Sequence, residues 1–590
     1  MTATEQCAEL RQTIIDRVGK NGGHLSSNLG AVELTVALHR VYDTSRDRLV
    51  FDVGHQCYAH KLLTGRDLST LRRLDGIAGF PKPSESVHDA AVSGHASSSI
   101  SSAIGMLRAA KLLGEDYAVA AVLGDGSMTG GMAYEALEDA GASGLPLVVV
   151  LNDNGMSITR NVGGVARHLA KLREKQNYFR LKDAYRRCMK RIPFGRAIDK
   201  SLRGMKMVIK DALFPSSMFE SMGFRYLGPT DGHDVETLTR VLRYAKGRKC
   251  PMLVHVKTVK GKGCGFAEKN PSRYHGVPGY AADGAMPLPS ASYGTVMGET
   301  VANLAASDRR IVAVTAAMGE AVGLDPFASM FPDRFFDVGI AEEHAVTMSA
   351  GMAKQGLRPL CAIYSTFLQR GFDQLIHDVA IDSLPVVFAV DRAGLVGQDG
   401  ETHHGLFDAA YLNIVPNMTV FSPSSFAELR ECMLKAFALN APAAVRYPRG
   451  GEGAFRDSSL DAVILRGGGD VTLLTYGSMT NNTLKAAELL EREGIAARVV
   501  KITRITPLNI GEIAPLITDR LLVAEPVSQN GGVFGRLVSG LMERGTILKR
   551  AAGVSAGAGF VTHGRVEELE RRLGMDAAGI AGRAKEICGG

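Results

Sequence analysis

Tryptophan is absent from the 590 residues and aromatics make up only 6% of them, so neither indole packing nor a row of aromatic stacking platforms is on offer. Cysteine is sparse and scattered. Cys7, Cys57, Cys188, Cys250, Cys264, Cys361, Cys432 and Cys588 form no CxxC pair, which argues against a zinc site and against a disulfide framework. No uninterrupted apolar run reaches the roughly 18 residues that a membrane span needs. The opening MTATEQCAEL has neither a basic start nor an apolar stretch, so no secretory signal and no membrane partner are expected. The net charge of +7 is small for this length. Its dense basic stretch, Arg167 to Lys210, has no recognisable nucleic-acid-binding fold around it. Nucleic acid is therefore not an expected partner, whereas small phosphorylated anions suit the charge well. A cytoplasmic protein is the default expectation.

What is abundant is glycine, 67 residues, set in a rhythm of short apolar runs and helical stretches. A chain this long exceeds one hydrophobic core and divides into several domains. Strands are predicted at Tyr117–Leu123 and Leu145–Leu151, with a helix around Met132–Ala142 between them. Further strands are predicted at Ile311–Thr315, Phe335–Val338, Leu360–Tyr364 and Pro385–Val390, then at Val471–Thr475 and Leu521–Ala524. Apolar runs alternating with helices predict βαβ units and parallel sheets. The Pro- and Gly-rich stretch Tyr274–Pro289 reads as a linker, and Gly467–Gly469 opens a smaller last segment. The expected fold class is α/β: three consecutive α/β domains with mainly parallel sheets, over residues 1–286, 287–462 and 463–590.

The sharpest local signal is Gly124-Asp125-Gly126, with Asn154 standing 28 residues beyond Gly126. Each follows a predicted strand. A right-handed crossover sets such strand ends side by side, where doubly wound sheets bind ligands. One carboxylate and one amide oxygen then converge, a hard-oxygen pair suited to Mg²⁺ that keeps phosphate oxygens as its other ligands. The glycines let main-chain N–H groups approach a diphosphate. A GDG string alone is equally a tight turn; the paired Asn154 favours the ion.

Longer strings carry a family resemblance. They are GGHLSSNLG (Gly22–Gly30), DVGHQCYAHK (Asp52–Lys61), VLGDGSMTGGMAYEA (Val122–Ala136), GPTDGHD (Gly228–Asp234), AEEHAV (Ala341–Val346), YSTFLQRGFDQ (Tyr364–Gln374), DRAGLVGQDGETHHG (Asp391–Gly405) and YPRG (Tyr447–Gly450). Through them the chain resembles the 1-deoxyxylulose-5-phosphate synthase family of transketolase-like thiamine-diphosphate enzymes over nearly its whole length. The resemblance implies a diphosphate-binding domain, a pyrimidine-binding domain and a transketolase C-terminal-like domain, within a homodimer. It implies Mg²⁺ held by Asp125, Asn154 and the main chain at Met156. His55, Gly94, His95, Gly126 and Ser127 would line the cofactor's diphosphate or thiazolium end, with Ala96 and Cys264 standing where the family often has serine and a tyrosine-like residue.

By the same likeness Glu342 is the carboxylate that hydrogen-bonds the cofactor's pyrimidine ring, with Glu343 its neighbouring competitor. The implied reaction joins pyruvate to D-glyceraldehyde 3-phosphate with loss of CO₂, feeding isoprenoid precursors, thiamine and pyridoxal. Proton transfers near neutrality favour histidine, and His24, His275 and His403 lie in family strings as catalytic candidates. An isolated histidine is more often a satisfied core or surface residue; the glycines before His24 and the DGETH context of His403 reverse that preference. Asp399 would orient His403 or contact substrate hydroxyls. A phosphorylated acceptor needs cations, and the bidentate geometry of arginine suits it: Arg370 and Arg449 nearest the phosphate, with Arg392 and Tyr364 beside them. For any one arginine the plain alternative is a surface ion pair. Phe367 would pack near the cofactor ring. The alternatives left open are a transketolase or other ketoacid-using thiamine-diphosphate enzyme, and a non-catalytic paralogue.

Overall fold

In the computed structural model residues 1–156, 164, 168–169, 218–287, 290–457, 459 and 461–589 are described. The basic stretch Arg167–Lys210 lies outside them apart from His168 and Leu169. The chain divides into two compact units, Met1–Leu71 with Gly79–Met286, and Arg72–Ala78 with Pro287–Gly590.

The first unit is built on five parallel strands in the order β1-β2-β3-β5-β4: β1 Arg48–Phe51, β2 Val119–Gly124, β3 Val148–Asp153, β4 Arg225–Asp231 and β5 Met252–Lys257. The apolar residues of β2 and β3 are buried almost without interruption, as befits a parallel sheet covered on both faces. Helices Ser99–Leu113 and Gly131–Ser143 each end on a left-handed glycine, Gly114 and Gly144.

The stretch from Tyr274 is not a free linker. The Tyr274 hydroxyl donates to Gly284 O at 2.6 Å, Val277 and Gly23 exchange main-chain bonds, and the Tyr280 hydroxyl donates to Ile15 O at 2.7 Å. Both tyrosine rings pack on Phe266. Aromatic burial therefore overrides the turn chemistry of the surrounding prolines and glycines.

The second unit holds two sheets. A seven-stranded one runs β15-β10-β11-β9-β8-β6-β7, with β6 Ile311–Thr315, β7 Phe335–Asp337, β8 Arg358–Tyr364, β9 Val387–Asp391, β10 Thr419–Phe421, β11 Ala443–Arg446 and β15 Arg504–Thr506. A five-stranded one runs β12-β14-β13-β16-β17, with β12 Val463–Arg466, β13 Val471–Thr475, β14 Ala497–Lys501, β16 Arg520–Ala524 and β17 Arg550–Val554. All pairings are parallel except β10–β15 and β12–β14. β15 comes from the last segment of the chain yet pairs antiparallel with β10, so the two sheets of this unit are stitched together. The fully buried Lys501–Glu428 ion pair crosses the same seam.

Candidate active site

In the first unit the site residues gather at the carboxyl ends of β1, β2, β3 and β5. The register pairs Gly124 with Asn152 and Asp153 with Lys257, so the strands end level. That levelling brings Asp125 and Asn154 together. The Gly155 amide donates to Asp125 Oδ2 at 2.8 Å and to Asp153 Oδ1 at 3.1 Å, and the Met156 amide donates to Asn154 Oδ1 at 3.1 Å. Asp125 is 3% exposed, and its carboxyl is pushed well above the usual range by burial, then by the neighbouring Asp153 carboxylate, with which it shares a hydrogen bond. Two buried acids facing one another call for a cation. Asp153 is otherwise anchored by His255 Nε2 at 2.8 Å, whose Nδ1 meets the Tyr226 hydroxyl at 2.7 Å. Among the described residues no cluster of three or more His, Cys, Asp or Glu side chains could hold a metal. The oxygens at hand are one carboxylate, one amide and main chain.

Beside this acid pair stand three histidines. The rings of His24, His55 and His275 lie 5.7, 5.5 and 5.2 Å apart, centroid to centroid, each against the other two. The side chain of Asn28 builds this arrangement: its Nδ2 donates to His24 O and to His55 O, both at 2.7 Å, while its Oδ1 accepts from Tyr58 N at 2.8 Å. Ser27 Oγ faces His275 Nδ1 at 3.2 Å. Gly23 has φ +140°, and a methyl there would lie 2.7 Å from the Tyr58 hydroxyl, which accepts from His24 N. Only glycine lets that turn close. Loss of water, followed by the Lys260 charge and the other two rings, pulls His275 well below the ordinary histidine range, so it is neutral. Lys260, 6% exposed, is pushed down to about 8 by burial and held up by Asp125.

Gly94, Ala96 and Ser127 are buried and His95 half-buried. Ser97 Oγ donates to Ser127 O at 2.8 Å and Ser97 N to Asp52 Oδ1 at 2.8 Å, which ties the segment after β1 to the GDG turn at Gly126. Cys264 opens the short helix Gly265–Lys269, beside Tyr280, with burial raising its thiol.

In the second unit the site residues follow the carboxyl ends of β7, β8, β9 and β11. Glu342 begins the helix Glu342–Lys354 and is 2% exposed; Glu343 is half-buried. Glu342 Oε2 has no hydrogen-bond partner among the described residues, and Arg370 stands 3.8 Å from it. Burial lifts the carboxyl from 4.5 to about 7, against the lowering by Arg370. A helix N-terminus stabilises an anion by about 0.3–1 kcal/mol, while a lift from 4.5 to about 7 corresponds to roughly 3 kcal/mol. Burial wins.

Tyr364, the last residue of β8, stacks on Phe367 at 5.6 Å, and Phe367 meets His403 edge-on at 5.6 Å. The Arg392 guanidinium lies over the Tyr364 ring at 3.7 Å, and Arg392 itself takes a left-handed φ of +62°. Arg449 is lowered first by the charge of Arg392 and then by burial, so two guanidinium groups crowd one another. Two arginines hold Asp399. Its Oδ1 accepts from Arg72 at 2.6 Å and its Oδ2 from Arg449 at 3.4 Å, while His403 Nδ1 meets the Thr402 hydroxyl at 2.8 Å. Asn28 and the buried Asp391, whose carboxyl burial pushes up to about 6, lie inside family strings but were not singled out, and Asp153, Lys260 and Arg72 were missed as well. Asp153 and Lys260 adjoin recognisable strings; Arg72 stands 327 residues from its partner.

Family models match the chain in three consecutive parts. Residues 2–258 match 1-deoxy-D-xylulose-5-phosphate synthase, 290–451 the transketolase pyrimidine binding domain and 460–580 the transketolase C-terminal domain. The class is thus transketolase-like. The 1-deoxy-D-xylulose-5-phosphate synthase of Clostridium kluyveri is 46% identical, over 98% of this chain and 95% of its own. That of Pelotomaculum thermopropionicum is 47% identical, over 97% and 92%. Among solved structures, the transketolase of Campylobacter jejuni aligns over 99% of each chain at 20% identity, with a TM-score of 0.44. The chain belongs to the 1-deoxy-D-xylulose-5-phosphate synthase family. No helix among the described residues is long and apolar enough to cross a membrane.

Proposed function

We propose that this chain joins pyruvate to D-glyceraldehyde 3-phosphate, releasing CO₂ and 1-deoxy-D-xylulose 5-phosphate, with thiamine diphosphate and Mg²⁺, as a cytoplasmic homodimer of three domains over 1–286, 287–462 and 463–590. Near-half identity to synthases along the whole chain supports the activity. The observation that carries the cofactor assignment is Glu342: a buried carboxyl, held near 7, with an oxygen that no donor among the described residues satisfies. Such an atom needs a partner, and a pyrimidine ring nitrogen fits it. Bound thiamine diphosphate supplies a carbon nucleophile that takes up the acyl unit of pyruvate and stores its electrons when CO₂ departs.

The chain's own groups do the rest. Glu342 holds a proton at Oε2 and shares it with the ring. Asp125, the Asn154 amide oxygen and the Met156 main chain hold Mg²⁺, relieving the repulsion between Asp125 and Asp153. Gly126, Ser127, Gly94, His95, Ala96 and Cys264 shape the walls around the cofactor, and Phe367 closes the ring side with Tyr364. His24, His55 and His275, of which His275 is neutral, accept or donate protons at the reacting oxygens. His403 is a further candidate for proton transfer. Arg449, Arg392 and Arg370 bind the phosphate and the carboxylate of the substrates, while Asp399 fixes Arg449. Incubation with both substrates, with and without thiamine diphosphate and Mg²⁺, followed by mass analysis tests this. The five-carbon ketose phosphate is expected only with cofactor. Its absence under full supply, or acyl transfer without CO₂ release, overturns the proposal.

A further inference from the structure

The order β12-β14-β13-β16-β17 reverses direction beside β13: the chain moves from β13 outward to β14, then returns to the other side for β16. In open parallel sheets the crevice outside the carboxyl ends at such a reversal is where ligands bind. Here protein groups fill it. Glu525, the residue after β16, is 1% exposed; it accepts from Val533 N at 2.7 Å and from the Tyr476 hydroxyl at 3.1 Å. Val533 caps the ten-residue helix Phe534–Glu543, so the end that would attract an anion already has one.

The lip of the same crevice receives the loop that leaves β9. A methyl on Gly394 would lie 3.5 Å from Pro526 and 3.9 Å from Ser478, and Ser528 N donates to Leu406 O at 3.0 Å. Both ends of the 394–406 loop therefore rest on residues that follow β13 and β16. Its middle rests on residues 562–566: a methyl on Gly397 would meet Gly564 O at 3.1 Å, and one on Gly400 would meet the His563 side chain at 3.1 Å. His563 Nε2 also faces Gly76 O at 3.1 Å, in the segment that carries Arg72 to Asp399.

His404 joins the two sides. It is 2% exposed; its Nδ1 accepts from Val396 N at 3.1 Å and its Nε2 faces Thr562 O at 3.1 Å. A carbonyl can only accept, so Nε2 carries the hydrogen and the ring is neutral in a single tautomer.

We propose that His404 is a positioning residue, and that with Thr562–His563 it makes the last sheet a clamp fixing the loop that bears Asp399 and His403, in place of a second ligand-binding module. This rests on the proposed substrate roles of Asp399 and His403. Misplacement of such groups by about 1 Å costs up to ~100-fold.

The test compares His404→Phe, which keeps a ring but loses both hydrogen bonds, with His404→Gln, whose amide restores a donor toward Thr562 O. Three readouts are followed: kcat/KM for condensation, Tm, and hydrogen exchange at the Val396 amide. The clamp predicts a ~10- to 100-fold fall for His404→Phe, partial recovery in His404→Gln, and faster Val396 exchange. It also predicts that His404→Phe costs less than about twofold once His403→Ala is present, because the group being positioned is gone. A wild-type kcat/KM in His404→Phe overturns the proposal. So does an equal further loss in the His403→Ala background with a lowered Tm, which marks a role in stability alone. Should His404→Phe not fold, Val396 exchange in the wild-type chain decides: exchange together with the strands of the last sheet supports the clamp, and free-loop exchange refutes it. Failure of the wild type to make the ketose phosphate would count against the proposed function, while the exchange result still judges the clamp.

Discussion

The two units carry opposite electrostatic problems. In the first, Asp125 and Asp153 are buried side by side and raise one another's cost of ionisation. In the second, Arg392 and Arg449 crowd together, and one of them is lowered for it. Crowded acids favour a cation between them; crowded guanidinium groups favour a phosphate or carboxylate. Between these extremes stands Glu342, a lone carboxyl whose burial outweighs both its helix N-terminus and Arg370. The difference teaches that the sign of the crowding, more than the identity of any one residue, tells which charge each unit is suited to receive.

The contrast can be broken most severely at Glu342. Glu342→Ala is expected to cut turnover by about 10³-fold while thiamine diphosphate still binds, as read by steady-state kinetics beside calorimetry; undiminished turnover would show that the carboxyl has no part in the chemistry. Next in size is a pH effect on the cofactor-free protein. Below the ordinary value of 4.5 Glu342 is protonated whether the chain is folded or not. Between 4.5 and about 7 the folded chain keeps a proton that the unfolded chain has lost, so stability falls as pH rises through that window. The deficit is complete above 7 and amounts to at most about 3 kcal/mol. Urea titrations should therefore find Glu342→Gln more stable than wild type at pH 8 and equal to it at pH 4. A variant less stable at pH 8 would mean that Arg370 needs the charge more than burial resists it.

Asp125→Asn sharpens the first unit's side of the comparison. It should weaken Mg²⁺-dependent cofactor binding by about 100-fold and still leave a folded chain with an unchanged Tm or a higher one, since one of two facing acids is gone. A fall in Tm would indicate that the pair is a structural hydrogen bond and not a cation site. Arg449→Ala, the smallest effect, should raise the KM for the phosphorylated aldehyde by about tenfold, with kcat little changed. If that KM stays put, the phosphate lies elsewhere among the arginines.

How far the sequence spoke depends on how local each signal was. β6 and β13 stand at the residues predicted for them, because unbroken apolar runs leave a buried parallel strand little freedom. The GDG turn and Asn154 were legible because each follows closely on an unbroken apolar run, and they stand just past the ends of β2 and β3 as expected. Tyr274–Pro289 contains the boundary between the two units, after Met286, but the packing of Tyr274 and Tyr280 on Phe266 is invisible in a composition of prolines and glycines. The three-residue β15 gave no periodicity at all, and its partner β10 lies more than 80 residues away along the chain. Arg72 is the extreme case: an arginine outside any motif, brought to Asp399 by tertiary structure alone.

Titrating thiamine diphosphate into the purified protein by calorimetry, with and without Mg²⁺, tests the central claim most directly. The two crowded acids of the first unit predict saturable binding that needs the metal. Equal affinity without Mg²⁺, or no heat of binding when Mg²⁺ is supplied, would contradict the account.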